Sequence, residues 1–143
     1  MQSYLLRSVA VWIAIIVAET IHGTLRELLL KPAVGDLGAR QIWFITAVAL
    51  IFAITVTSIK WINARRRMQL LWIGIIWVAL TTCFEAFLVR PVLGISWERF
   101  LSDYNIFDGG MMGIAMTILA LIPWAAARMR GVGSDKIDRQ IRS

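Results

Sequence analysis

The chain has 143 residues, of which 59% are hydrophobic and 17% charged, and its mean hydropathy is +0.71. A water-soluble domain of this size needs more polar surface than that, and a disordered chain could not be so apolar. Its one cysteine, Cys83, excludes a disulfide scaffold, and the net charge of +6 sits at the ends of apolar runs, which points to lipid headgroups rather than nucleic acid.

The first apolar segment covers 8–18, after which Glu19, His22, Arg26 and Glu27 intervene before Leu28, Leu29 and Leu30. Arg7 and 8–18 resemble the start of a cleaved leader, but Ile16 breaks the small-x-small rule before Ala18. The segment therefore reads as a retained helix. Three further runs lack Asp, Glu, Lys and Arg altogether: 41–59, 68–84 and 109–127. About 20 apolar residues cross the roughly 30 Å hydrocarbon core, and only helices satisfy their backbone there without a closed barrel. The expectation is an all-α polytopic membrane protein, a four-transmembrane-helix bundle forming one domain over 1–143. Its spans fall at about 5–30, 41–60, 68–88 and 109–127, and a basic tail follows over 128–143. Trp97 to Tyr104 reads as a short interfacial helix with Trp97, Phe100, Leu101 and Tyr104 on one side, and Asp108 as the cap of the fourth span, ahead of Gly109 and Gly110.

Orientation follows from the basic residues. One side holds Arg7, Lys60, Arg65, Arg66, Arg67, Arg128, Arg130, Lys136, Arg139 and Arg142; the other holds Arg26, Lys31, Arg40, Arg90 and Arg99. The richer side is expected to be cytoplasmic. Both termini then face the cytoplasm, and the 27–41 and 89–108 loops face outward, into the periplasm if the membrane is a bacterial inner membrane. Trp43 and Trp97 mark the outer boundary, with Trp61, Trp72 and Trp124 at the inner one. Of the acids, only Asp135 and Asp138 are cytoplasmic; the other seven lie in or beyond the outer half. Acids contribute little to topology, so this bias suggests a function on the outer face.

The sequence also echoes itself. Leu29-Leu30-Lys31-Pro32-Ala33-Val34-Gly35 resembles Leu88-Val89-Arg90-Pro91-Val92-Leu93-Gly94 at an offset of 59, where Arg40 also meets Arg99. In each, proline is expected to set an extended exit from the helix and glycine to permit the turn. Either any leucine-rich helix stopped by basic-Pro looks like this, or the chain is a parallel two-helix repeat.

Glu19 is the most informative position. Eleven residues beyond Ser8, it lies about 16 Å deep at 1.5 Å per residue, near mid-membrane. A carboxylate there must be protonated, paired or facing water. His22 and Arg26 follow at i+3 and i+7 on the same helix face, and Glu85 approaches the outer end of the third span. Together Glu19, His22, Arg26 and Glu85 make a candidate polar site, open to the outer face, for a proton or a polar ligand. The alternative is that Glu19 pairs with His22 or Arg26 merely to fix helix packing, while Arg26, Glu27 and Arg90 snorkel.

Small residues recur every four positions at Ala10, Ala14 and Ala18, at Ala49, Ala53 and Thr57, and at Gly109, Gly113 and Thr117. Packing inside the bundle accounts for them, and so does an oligomer interface. The tail suits anionic lipids. Cys83 reads as a packing residue. A single histidine, with no Cys/His cluster and no phosphate-binding loop, leaves no metal or cofactor expected, and a haem held by His22 with Met111 or Met112 has no motif behind it.

Ala18-Glu19-Thr20-Ile21-His22-Gly23-Thr24 resembles the first-helix signature of small multidrug-resistance transporters, whose membrane glutamate couples protons to lipophilic cations. The outer loops here are longer and more charged, and His22 and Arg26 would repel a cation. The run from Glu19 to Gln41, with Glu-Thr-x-His-Gly and Val-Gly-Asp-Leu-x-Ala-Arg-Gln, together with Ser96-Trp97-Glu98-Arg99 and Gly109-Gly110, is similar to a group of short four-span bacterial inner-membrane proteins of unassigned activity. That resemblance implies location and nothing about chemistry. Three functions stay open: a small transporter-like or ligand-binding unit, alone or as a homo-oligomer; an accessory subunit of a larger membrane complex; and a membrane enzyme acting on lipid or quinone headgroups.

Overall fold

In the computed structural model, which describes residues 2–108 and 110–132, the described residues are helical with no strand. Helices α1 (Gln2–Leu25), α2 (Lys31–Ile62), α3 (Arg67–Phe84), α4 (Arg90–Leu93), α5 (Trp97–Tyr104) and α6 (Met112–Met129) follow in order. Ser3–Ile62, Arg67–Leu93 and Met112–Met129 are each long and apolar enough to cross a bilayer. The chain divides into two compact units, Met1–Asn63 and Ala64–Ser143.

The first unit is a helical hairpin. Its helical run is broken at Gly35, whose φ of 77° and ψ of 170° are not helical. Arg7 Nη1 donates to the Trp61 carbonyl at 3.0 Å; a straight helix would hold these residues about 80 Å apart. His22 likewise meets Thr46, and Arg26 meets Trp43. All three pairs are centred on residue 34 or its immediate neighbour, so the two arms run antiparallel from the break at Gly35. Val11 and Ile15 of one arm and Ala47, Thr55 and Ile59 of the other are buried.

In the second unit α3 packs against α6. Leu70, Ile73 and Trp77 are buried on α3, and Met116, Leu119 and Ile122 on α6. Gly74 lets the backbones meet: a Cβ there would stand 2.1 Å from the Ala120 carbonyl oxygen. Ser96 caps α5, its side chain accepting from the Arg99 N–H at 3.2 Å. The interfacial helix expected at 97–104 is present, with Trp97 edge-on to Phe100 and Phe100 tilted against Tyr104. Leu101 is exposed. Gly110 and Gly113 carry no Cβ where one would strike the Asp103 and Tyr104 carbonyls.

Both halves contain the same local device. A π-helical turn covers Arg26–Leu30 in one and Glu85–Val89 in the other, again 59 residues apart. In each, the next backbone N–H reaches back five residues, Lys31 to Arg26 O and Arg90 to Glu85 O. Proline explains the position. Pro32 and Pro91 have no N–H, and in a regular α-helix their rings would strike the carbonyls four residues earlier, of Leu28 and Phe87, which lie inside the widened turns. Gly35 and Gly94 follow with positive φ.

This corrects three sequence expectations. Lys31 and Arg90 are helical rather than extended, because the π turn absorbs the proline. The expected 27–41 loop is therefore helix interrupted only at Gly35. Asp108 does not cap the fourth span: it ends a 3-10 turn, Ile106–Asp108, and α6 starts behind Met111 with no side-chain cap. Gly109 and the tail over 133–143 lie outside the described residues. The helix ends at Gly131 with Gly131 N–H bonded to Arg128 O and Val132 N–H to Ala127 O.

Candidate functional site

One turn of α1 brings Glu19 and His22 together, with His22 Nδ1 3.4 Å from Glu19 Oε2. Across the hairpin, His22 Nε2 is 2.9 Å from Thr46 Oγ1. That hydroxyl lies 2.8 Å from the Ile42 carbonyl and 3.1 Å from the Trp43 carbonyl. A hydroxyl has one hydrogen, which Thr46 directs to its own helix backbone. With its hydrogen on the helix backbone, Thr46 Oγ1 accepts from the Nε2–H tautomer of His22, which leaves Nδ1 facing the carboxylate. One proton can sit between Glu19 and His22, on either group. The side chains keep 16% and 22% exposure respectively, so the pair is reachable from outside the hairpin.

Trp43 completes the cluster. Its ring stacks on His22, with centroids 6.2 Å apart and planes 17° apart, and the Arg26 guanidinium stands 5.2 Å from an indole centroid. Two polar atoms are left over. Glu19 Oε1 and Trp43 Nε1 are buried and make no hydrogen bond.

Arg26 is held by Glu27 and Trp43, and no ion pair joins it to Glu19 among the described residues. It begins a chain of alternating charges over the hairpin tip. Lys31 pairs with Glu27 at 3.1 Å and with Asp36 at 3.6 Å, and Asp36 with Arg40 at 3.6 Å. These groups are largely exposed, so solvent screens the pairs and they add little to stability.

Glu85 belongs to the second unit, at the start of its π turn. Its carboxylate has no hydrogen bond or ion pair among the described residues. It lies close enough to act on Tyr104, whose phenol burial pushes above its ordinary value; Thr82 opposes that shift and the Glu85 charge adds to it.

Sequence reading missed Thr46 as a partner and took Trp43 only as a boundary marker. The signal was there: a hairpin turning near Gly35 pairs residue 22 with residue 46. No group of three His, Cys, Asp or Glu that could hold a metal occurs among the described residues. Cys83 is a free, exposed thiol. Compared with protein-family models, curated proteins and solved structures, the chain matches none.

Proposed function

We propose that this is an integral protein of a bacterial inner membrane, with both termini cytoplasmic, in which Glu19, His22 and Thr46 form a proton-holding polar site that opens toward the outer face. It works as a small transporter-like or ligand-binding unit. The observation that carries this reading is the Thr46-fixed histidine facing a carboxylate whose second oxygen has no partner. A pair that served helix packing alone would satisfy both carboxylate oxygens.

The membrane placement is supported by the Arg–Trp pairs at the two ends of the first hairpin. Arg7 stands over Trp61 and Arg26 over Trp43. The 19-residue step from Arg7 to Arg26 spans about 28 Å, close to the hydrocarbon thickness. On that ruler Glu19 lies about 10 Å from the outer pair, shallower than the count from Ser8 suggests. The coincidence of the two π turns at the 59-residue offset supports descent of the halves from one two-helix unit, inserted twice in the same orientation.

The chain has one histidine, so 15N-histidine labelling reports this site without ambiguity. The wild type should show Nε2–H. Thr46→Val should mix the tautomers. Mixed tautomers in the wild type, together with a Glu19 inert to a lipophilic carbodiimide, would reduce the pair to packing.

One observation favours the accessory-subunit reading. Ala10 and Ala14 on α1, and Ala49, Ala53 and Thr57 on α2, are exposed rather than spent inside the hairpin. Such faces suit another helix, from a second copy or a larger complex. Native mass spectrometry from the membrane distinguishes these: whole multiples of one chain favour the self-contained unit, and a reproducible heteromer the accessory role.

A further inference from the structure

The second hairpin gathers arginines at one end. Gly74 meets the Ala120 backbone, Gly113 meets the Tyr104 carbonyl, and Thr82 acts on the Tyr104 phenol. The pairings of 74 with 120 and of 82 with 113 are centred on residue 97 or within one residue of it, so α3 and α6 run antiparallel. That register sets Arg66 level with Arg128 and Arg67 level with Ala127, and Arg130 follows directly after the helix. Packed helices stand about 8–10 Å apart, a gap that arginines from both sides can close on one phosphate. All four arginines are exposed, and neither α3 nor α6 contains an Asp or Glu. The positive-inside bias asks only that bases lie on this side of the membrane. It does not ask that Arg66 and Arg67 stand at the N-terminus of α3, the positive end of the helix dipole, with no acid in the first turn. Their charges oppose that dipole and one another, and an anion from outside relieves both repulsions.

The surface next to the arginines is apolar. Leu71 and Ile75 follow Arg67 at i+4 and i+8 on one face of α3, and both are exposed. On α6 the Arg128 guanidinium stands 5.5 Å from the centroid of a Trp124 ring, and Trp124 and Leu121 are exposed. Each helix thus passes within about one turn from a guanidinium to uncovered apolar side chains, with a tryptophan at the join, as membrane interfaces favour. Free phosphate would meet only the charges, whereas a phospholipid matches the charges and the apolar faces together. We infer that the end of the second hairpin carrying Arg66, Arg67, Arg128 and Arg130 binds the phosphate of an anionic phospholipid, with the acyl chains lying along the exposed faces of α3 and α6. This goes beyond the Glu19–His22 site and rests only on the reading that these helices span a membrane.

The test uses the full-length protein in detergent micelles, with phosphatidylglycerol as probe and phosphatidylcholine of the same acyl chains as control. Native mass spectrometry counts the lipid bound. Phosphatidylglycerol should bind saturably and at least tenfold more tightly than phosphatidylcholine. Arg67→Gln combined with Arg128→Gln, one exposed side chain on each helix, should remove that preference. Arg40→Gln combined with Arg99→Gln takes the same charge from exposed positions elsewhere and should leave it intact. A wild type without the preference, a preference that survives the first pair of changes, or one lost equally with the second pair would overturn the inference. In a parallel arm, brominated phosphatidylglycerol should quench tryptophan fluorescence saturably, and millimolar inorganic phosphate should not reverse the quenching. Reversal would assign the arginines to free phosphate and overturn the lipid assignment. Absence of the lipid preference while His22 keeps its Nε2–H tautomer ends this inference alone, whereas mixed tautomers with the preference intact leave it standing.

Discussion

The two halves of the chain share a motif and use it differently. In the first, Leu-Leu-Lys-Pro-Ala-Val-Gly runs through a π turn to Gly35, where a single residue at φ 77° and ψ 170° reverses the chain into the next helix. In the second, Leu-Val-Arg-Pro-Val-Leu-Gly runs through the same π turn to Gly94, at φ 65° and ψ 26°. There the helix stops, with Gly94 N–H bonded to Pro91 O and Ile95 N–H to Arg90 O. The residues after the glycine differ as well. Asp36 places a negative charge in the first turn of the new arm, where it complements the helix dipole and pairs with Lys31 and Arg40. Ile95 and Ser96 instead lead into a new N-cap and the amphipathic α5. Proline fixes the widened turn, and the backbone angles adopted at the glycine separate reversal from termination.

The packing of the halves differs too, and glycine substitutions sharpen the contrast most. Gly74→Ala should destabilise the second hairpin by about 1–3 kcal/mol or more, because the new methyl collides with the Ala120 backbone. Gly23→Ala in the first meets nothing within 4 Å and should stabilise α1 by up to about 1 kcal/mol through helix propensity. Reversible unfolding in mixed micelles measures both. Equal effects would mean that the α3–α6 backbones do not meet at Gly74.

The two turn glycines should separate next. Gly35 occupies backbone space essentially reserved for glycine, so Gly35→Asn should cost about 1–3 kcal/mol. Gly94 is left-handed helical, which asparagine tolerates, so Gly94→Asn should cost well under about 1 kcal/mol. If both variants unfold alike, the difference between reversal and termination does not lie in these residues.

The polar side chains just beyond the glycines should matter less. Ser96→Ala removes the α5 cap and should cost about 1 kcal/mol, seen as faster amide exchange over 97–104. Asp36→Asn breaks only exposed ion pairs and should change stability by less than about 0.5 kcal/mol, and by less still in high salt. A large effect of Asp36→Asn would show that its charge drives the reversal.

The smallest effect is spectroscopic. With Tyr4→Phe as background, absorbance at alkaline pH isolates Tyr104, which should ionise above the ordinary tyrosine value near 10. The fold favours the protonated phenol. Its contribution is thus fully present below the unfolded value and is lost as pH rises through the folded one. An unshifted midpoint would place the phenol in water, away from Thr82 and Glu85.

Much of this was legible in the residues themselves. Charge-free runs of bilayer length announce apolar helices, since each backbone group must be satisfied inside its own segment. The 59-residue echo marks both π turns, though not their shape, because proline dictates a missing hydrogen bond but not how a helix absorbs it. The i, i+3 spacing put Glu19 beside His22, as helical geometry requires. Asp108 misled because a favourable cap residue does not compel a helix to start there.

What the sequence by itself determined is thus local: helix content, the proline and glycine positions, and the polar face of α1, all consequences of the chemistry of nearby residues. The tertiary structure alone decided that Thr46 meets His22, that Trp43 rather than Glu19 holds Arg26, and that Gly74 is a backbone contact. Each joins residues far apart along the chain, and such pairings depend on how the arms fold back and on the register in which they meet.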